Sequence, residues 1–270
     1  MWLSNLSTEY ASDLVQNSTE FLGILKQIPR GSITDSMVSF SIDVVSLYES
    51  LGQQLVFDAL NDAMDLRRPD WTDQFRSWLT GVIGLSLGGA ALSFKGSLYS
   101  PIKGIPTGSS LSVGLANICV FYVLKKILPN DERSRLVFFA RFLDDTAAIF
   151  HGDEDSFILW FENLRNKSTT CFNLDLTYVV KKVNTFNQFL DIQFRFLDLG
   201  LGVLQTDLYK KPTDANRYLH FTSSHLDHVY KGIITSQVIR LRRLINVPMF
   251  LEMRLNDIKT FFANSGYPEN

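Results

Sequence analysis

Hydrophobic and polar positions along the chain follow two different periods, which predicts a fold that mixes helices with strands. Segments with apolar residues three or four positions apart indicate helices, and short apolar or alternating runs indicate strands. The predicted helices cover residues 9–27, 46–64, 66–92, 111–128, 156–167, 229–245 and 248–263. The predicted strands cover residues 37–45, 136–142, 146–150, 174–181, 186–196 and 202–209.

Two apolar strands flank a pair of adjacent acids, Asp144 and Asp145. Adjacent acids in a turn are often only solvated, but the apolar flanks ARFL and TAAIF predict that these two lie at the tip of a tight hairpin. A third acid, Asp43, stands near the end of the apolar strand MVSFSIDVV. If the strands are neighbours, Asp43 and Asp144 converge. Convergent carboxylates are the ligands that Mg²⁺ prefers.

The total charge argues against a nucleic-acid partner, whereas its distribution favours one. The 270 residues carry 26 Lys and Arg against 28 Asp and Glu, a net charge of −2. However, residues 74–130 contain five basic residues and no acid, and residues 208–259 contain nine basic residues against four acids. Such basic regions suit contact with phosphates, although chance drift along a long chain also produces them.

Cysteine content and the N-terminus bear on location. Two cysteines, Cys119 and Cys171, are too few for a disulfide scaffold, which favours an intracellular protein. The acidic N-terminus does not resemble a targeting peptide. Segments 77–94 and 105–124 are long and contain no charged residue, but they contain many Gly and Ser residues, so we expect buried helices and no membrane partner.

Ordered motifs along the chain resemble those of reverse transcriptases, and most closely those of the Penelope-like retroelement group. The motifs are SFSIDVVSLY (39–48), GIPTGSSLSVGLAN (104–117), ARFLDD (140–145), FNQFLDIQF (186–194) and LYKKPTDANRYLH (208–220). The resemblance implies an α+β fold, a right-hand polymerase palm with an antiparallel sheet backed by helices, followed by a helical thumb. It places an N-terminal remnant of the fingers at residues 1–36, the palm at 37–207 and a basic thumb at 208–270.

The resemblance also implies the activity and its catalytic residues. The activity would be RNA-directed DNA synthesis, in which a primer 3′-hydroxyl attacks a dNTP. Asp43, Asp144 and Asp145 would be the catalytic carboxylates that hold two Mg²⁺ ions, with Mn²⁺ as a substitute. Tyr48 would be the aromatic gate that excludes a 2′-hydroxyl, although a tyrosine at this strand-to-helix junction can also serve packing alone.

Further roles follow from the resemblance. Those for contact with the nucleotide and template are Gly108, Ser109, Asn117, Lys181 and Lys182. The primer grip would consist of Phe189, Leu190 and Asp191. Residues for contact with the nucleic-acid backbone are Lys210, Lys211, Arg217, Lys231, Arg240, Arg242 and Arg243. The implied partners are dNTPs and an RNA or DNA template with a DNA primer, and the implied location is the nucleus.

The chain departs from the family pattern in several places. Only 42 residues precede Asp43, so we expect the fingers to be largely missing, or supplied by another segment or a host factor. Thr107 stands where the family usually has Met or Gln, and Val113 where it usually has Pro. We expect no endonuclease domain after the thumb, although many members of the group have one. These departures leave open an inactive palm and thumb that only binds nucleic acid or a partner. The uncharged segments 77–94 and 105–124 leave open a third hypothesis, a membrane-associated protein.

Overall fold

A computed structural model describes residues 2–29, 31–89, 91–99, 103–197 and 203–268. The chain divides into two compact units, one formed by residues 1–15 and 40–180, the other by residues 16–39 and 181–270. These limits differ from the expected boundaries at residues 37 and 208, because segment 181–207 is compact with the C-terminal residues. The assignment of palm and thumb functions to 37–207 and 208–270 stays a prediction.

The elements occur in the following order along the described ranges. They are α1 (Trp2–Tyr10), α2 (Ser18–Gln27), β1 (Val38–Val44), α3 (Leu47–Ser50), α4 (Gln53–Arg67), α5 (Asp73–Gly88), β2 (Leu92–Phe94), β3 (Ser97–Tyr99), α6 (Ser112–Ile127), α7 (Asn130–Arg133), β4 (Leu136–Phe142), β5 (Asp145–Phe150), α8 (Glu154–Phe172), β6 (Leu176–Lys182), β7 (Asn187–Phe189), β8 (Ile192–Leu197), β9 (Val203–Leu208), α9 (Asp227–Leu244) and α10 (Pro248–Asn264).

The first unit is built on a sheet with the strand order β4-β5-β1-β6. Strands β4 and β5 are antiparallel, with Phe142 opposite Asp145 beside the turn. Phe40 of β1 and Phe150 of β5 are buried against Phe157 and Trp160 of α8. Helices α1, α4 and α6 pack against one another. Because one face of the sheet is covered by aromatic side chains, its register is well specified.

The second unit contains an antiparallel sheet with the order β7-β8-β9. Phe21 of α2 is fully buried against Phe189 and Phe194 of this sheet. The hydroxyl of Thr206 in β9 donates to the carbonyl of Leu244 at the end of α9, at 2.7 Å. A turn of three residues, 245–247, then separates α9 from α10.

Several predicted elements are confirmed, and others are wrong. The hairpin, helix 111–128 and the two C-terminal helices lie close to their predicted limits. The predicted helix 9–27 is divided, because the side chain of Asn17 caps α2 and the preceding segment pairs with β4. The predicted helix 46–64 is interrupted before α4, and the strand 186–196 is folded into the β7–β8 hairpin.

Segment 66–92 was predicted as mainly helical, but α5 ends at Gly88 and the small β2–β3 hairpin follows it. No helix within the described ranges is long and apolar enough to cross a membrane. Segments 77–94 and 105–124 contain most of α5, the strand β2 and most of α6.

Candidate active site

Asp43 and Asp144 lie at the ends of neighbouring strand segments. Asp43 is the penultimate residue of β1, and its side chain is exposed between the buried Ile42 and Val44, as strand alternation requires. Asp144 belongs to the two-residue turn between β4 and β5. β1 and β5 are adjacent in the sheet, so the order of strands brings the two acids to the same region.

A buried threonine joins β1 to β5 next to these acids. The hydroxyl oxygen of Thr146 accepts a hydrogen bond from the N–H of Ile42 at 2.6 Å and donates to the carbonyl of the same residue at 3.0 Å. Thr146 is 3% exposed. It follows that Ile42, the neighbour of Asp43, is held beside the strand that begins directly after Asp144.

The negative charge of Asp144 acts on Asp43 and on Tyr48. Partial burial and then the negative charge of Asp144 raise the pKa of Asp43, while a hydrogen bond from the N–H of Val44 opposes this shift. Burial and the same Asp144 charge raise the pKa of Tyr48. The charge of Asp144 thus affects both Asp43 and Tyr48. These three predicted site residues therefore lie in one region of the first unit.

The donor set fits a divalent cation in its chemistry. Two carboxylates that repel each other gain stability when a hard cation neutralises both, and oxygen ligands suit Mg²⁺. Within the described ranges, however, no group of three His, Cys, Asp or Glu side chains is arranged to hold a metal ion. Asp145 lies half-exposed at the start of β5. Its role as a third ligand, like the metal itself, stays a prediction.

An arginine that the sequence analysis did not select supports the turn of Asp144. Arg141 is fully buried in β4, and its Nη1 atom donates to the carbonyl of Leu143 at 2.7 Å. Nη1 and Nη2 also contact the side-chain and main-chain oxygens of Asn117, at 3.1 and 3.4 Å. Asn117 is buried, and its side-chain amide oxygen accepts the hydrogen bond from Arg141. The signal for Arg141 was a charge within the apolar strand LVFFARF.

The segment of Gly108 and Ser109 follows a loop attached to Tyr48. The N–H of Ile105 donates to the carbonyl of Tyr48 at 2.9 Å, and a Cβ at Gly104 would lie 2.9 Å from that oxygen. Gly108 adopts a φ of 87° and has no other group within 4 Å of its absent Cβ. The hydroxyl of Ser109 accepts from the N–H of Leu111 at 3.3 Å. Gly108 therefore leaves open space, as its predicted contact with a nucleotide requires.

The predicted primer-grip residues form the β7–β8 turn in the second unit. Phe189 is fully buried, whereas Leu190 has a positive φ of 54° in the turn. The Asp191 carboxylate accepts from Nε and Nη2 of Arg240 at 2.8 and 2.5 Å, and the Ser18 hydroxyl also donates to it. Asp191 thereby joins the turn to α9 and α2.

The two lysines predicted near the nucleotide lie at the end of β6. The Nζ atom of Lys181 donates to the carbonyl of Phe186 at 2.9 Å, so this lysine has an internal partner. Lys182 is exposed.

Some of the predicted backbone-contact residues surround a cavity of about 390 Å³ in the second unit. Its basic lining residues are Lys210, Lys211, Arg217 and Arg240. Lys210 is half-buried, with its Nζ 4.0 Å from the ring centre of Phe261 and 2.9 Å from Asn216 Oδ1, and burial lowers its pKa. Lys211 and Arg217 are exposed, and so are the remaining members Lys231, Arg242 and Arg243.

The chain is similar to solved telomerases in structure. It matches the telomerase of Candida albicans, solved with a TWJ fragment of telomeric RNA, with a TM-score of 0.61 at 12% identity over 98% of this chain and 47% of that one. The Candida tropicalis telomerase with its RNA fragment gives 0.57 at 11% identity, over 98% and 44%. A truncated apo form from Candida tropicalis gives 0.53 at 11% identity, over 76% and 44%.

Sequence comparisons add one partial match. A family model described as an animal helix-turn-helix domain matches residues 217–270, which contain α9 and α10. No curated protein matches the chain. The chain spans less than half the length of the telomerase chains. At these identities the structural likeness concerns the fold, and it confirms the expected α+β polymerase-like fold of palm and thumb type.

Proposed function

We propose that this chain is a reverse transcriptase of a Penelope-like retroelement, which extends a DNA primer on a nucleic-acid template. The placement of Asp43 near the end of β1 and of Asp144 in the turn before the adjacent strand β5, on a polymerase-like fold, is the observation that carries the proposal. The ordered sequence motifs support the retroelement origin. A nuclear location belongs to the same proposal, because a retroelement inserts its copies into chromosomal DNA.

Asp43 and Asp144 would hold the divalent cations, with Asp145 beside them. When bound, two Mg²⁺ or Mn²⁺ ions lower the pKa of an attacking hydroxyl and stabilise the oxygen that departs. The protein's own contribution would be to hold the two carboxylates in one region, Asp43 near the end of β1 and Asp144 in the turn before the adjacent strand β5. Tyr48, whose pKa is raised by burial and by the charge of Asp144, would pack under the sugar of the incoming dNTP.

The basic residues of the second unit would hold the template and primer through phosphate contacts, which do not depend on sequence. Phe189, Leu190 and Asp191 would position the primer end from the β7–β8 turn. Lys181 and Lys182 would lie near the leaving pyrophosphate. A further segment or a host factor would supply the fingers contacts to the triphosphate.

Primer extension tests this proposal. The full chain is incubated with a DNA primer on an RNA template, dNTPs and Mg²⁺ or Mn²⁺. We expect incorporation by the wild type and loss of it in Asp144→Asn and Asp43→Asn. Asp155→Asn, which alters an exposed acid of α8 in the same unit, is the matched control and should retain activity. Full incorporation by Asp144→Asn would refute the site assignment.

A second function, nucleic-acid binding without catalysis, is favoured by the helix-turn-helix match at residues 217–270. In that case duplex binding would depend on salt, would be unchanged by Asp43→Asn, and would occur without incorporation. Measurement of binding and incorporation on the same preparation separates the two functions.

A further inference from the structure

We propose that Arg141 is a positioning residue for the active site, and that residues 13–15 of the N-terminal segment belong to the site because they hold this arginine. The inference rests on the proposed function of Asp144 as a metal-binding carboxylate. Arg141 would act through the turn and would not itself touch metal or substrate.

The guanidinium of Arg141 is directed at the turn of Asp144. Arg141 is fully buried, and its shortest hydrogen bond, 2.7 Å from Nη1, is to the carbonyl oxygen of Leu143. Leu143 immediately precedes Asp144, so its carbonyl belongs to the peptide group that carries the Asp144 nitrogen. A shift of this peptide would move the Asp144 carboxylate with it.

The turn of Leu143 and Asp144 has an unusual conformation. Leu143 has a φ of 57°, a region that a residue with a Cβ rarely adopts and that hairpin turns usually assign to Gly or Asn. A leucine does not favour this conformation by itself, so contacts from elsewhere in the fold must hold it. The hydrogen bond from Arg141 is such a contact, and it is charge-assisted.

Residues 13–15 of the N-terminal segment hold Arg141 in place. Nη2 lies 3.3 Å from the buried Asp13 Oδ1. The N–H of Arg141 donates to the Asp13 carbonyl, and the N–H of Val15 donates to the Arg141 carbonyl, both at 2.8 Å. Segment 13–15 therefore pairs with β4 through an isolated parallel bridge between Leu14 and Arg141, and Asp13 supplies the countercharge. Residues distant in sequence thus converge on the turn of Asp144.

Stability alone is a poor explanation for the buried ion pair of Arg141 with Asp13. Buried ion pairs lose much hydration energy, and apolar replacements are often at least as stable. Asp13 Oδ2 and Arg141 Nε also make no hydrogen bond with the described part of the chain. Arg141 thus forms a hydrogen bond with the Leu143 carbonyl, while polar atoms of Arg141 and Asp13 themselves have no partner among the described residues. This pattern is expected if the ion pair serves to hold the turn.

The test measures Mn²⁺ affinity of the full-length protein by titration, which requires no catalysis. Arg141→Met keeps an unbranched apolar stem and removes the donor. We expect it to weaken Mn²⁺ binding about tenfold, as for other residues that orient metal ligands. Asp13→Asn, nearly the same shape, should weaken binding in the same direction. A loss below threefold in Arg141→Met would overturn the proposal.

A matched control separates positioning from general destabilisation. Asp62→Asn removes another ion pair of the first unit, in which Asp62 contacts Lys125 at 2.8 Å and Tyr10 at 2.5 Å. It should lower the melting temperature but change Mn²⁺ affinity by less than twofold. If Asp62→Asn weakens Mn²⁺ binding as much as Arg141→Met does, the effect is structural and the proposal fails. If Arg141→Met does not fold, Asp13→Asn decides by the same threefold limit.

Primer extension distinguishes this inference from the proposed function. In an active protein, Arg141→Met should raise the Mg²⁺ concentration for half-maximal activity while kcat at saturating Mg²⁺ recovers substantially. Wild-type activity with an unchanged Mg²⁺ requirement in Arg141→Met would refute the positioning role alone. Mn²⁺ binding that depends on Arg141 in a protein without incorporation would refute the polymerase alone. A wild type that neither binds Mn²⁺ nor incorporates dNTPs would overturn both.

Discussion

The hydroxyl of Thr146 contacts both the N–H and the carbonyl of Ile42, at 2.6 and 3.0 Å, and so occupies both polar groups of one residue in the neighbouring strand. This relationship connects the strand of Asp43 with the hairpin of Asp144. It is made by a side chain that is nearly the same size as valine, which allows a simple test.

Thr146→Val should destabilise the first unit without changing its packing volume. The Ile42 N–H and carbonyl would lose a buried partner, which costs about 1–3 kcal/mol. Denaturant unfolding measures this loss. Thr146→Ser keeps the hydroxyl and should lose less, so equal losses in the two variants would contradict a role for the hydrogen bonds.

Asp43→Asn should stabilise the protein at neutral pH when no divalent cation is added. The folded state raises the pKa of Asp43, so its ionised form is penalised by folding at pH values above that pKa. Below the ordinary pKa of aspartate the residue is protonated in both states and the penalty disappears. The gain should therefore be present at pH 7 and fade as the pH falls toward about 4.

Thermal unfolding of Asp43→Asn and wild type across this pH range provides the measurement. Added Mg²⁺ should reverse the order, because it would stabilise the wild-type pair. A gain that grows as the pH falls would have the wrong sign and would contradict the electrostatic account.

Tyr48→Ala should relax discrimination against ribonucleotides if the ring lies under the sugar. We expect the ratio of kcat/KM for dNTP over NTP to fall roughly tenfold or more, since the variant removes the steric block to the added 2′-hydroxyl, and rejection of one small group by a pocket is of this order. Tyr48→Phe keeps the ring and should keep the ratio. Competition assays with paired nucleotides measure it, and an unchanged ratio in Tyr48→Ala would leave the tyrosine with a packing role.

The basic residues should contribute unequally to binding of a primer–template duplex. Arg217 and Lys211 are exposed, so Arg217→Gln or Lys211→Gln should each reduce the slope of log K against log salt by about 1. Arg240 is paired with Asp191, and Arg240→Gln should reduce the slope less. Fluorescence anisotropy at several salt concentrations gives these slopes. Equal changes for Arg240 and Arg217 would show that the ion pair opens on binding.

The sequence by itself determined most of the elements and the set of candidate residues for the site. The apolar strands around Asp144 and Asp145 predicted the hairpin, and the alternation before Asp43 predicted β1, because these patterns depend on neighbours in the chain. The position of α6 was predicted for the same reason. The points at which a predicted helix or strand is interrupted were harder to predict, since the cap at Asn17 and the turn at Leu190 depend on contacts made by a few polar groups.

Only the tertiary structure decided which strands distant in sequence are adjacent and what holds the turn. The placement of β1 beside β5 involves residues 104 positions apart, as in the Ile42–Thr146 hydrogen bonds. The assignment of Arg141 and Asp13 required contacts across 128 positions. Pairings of this kind arise from burial and hydrogen bonding in three dimensions, and a local sequence pattern carries no information about them.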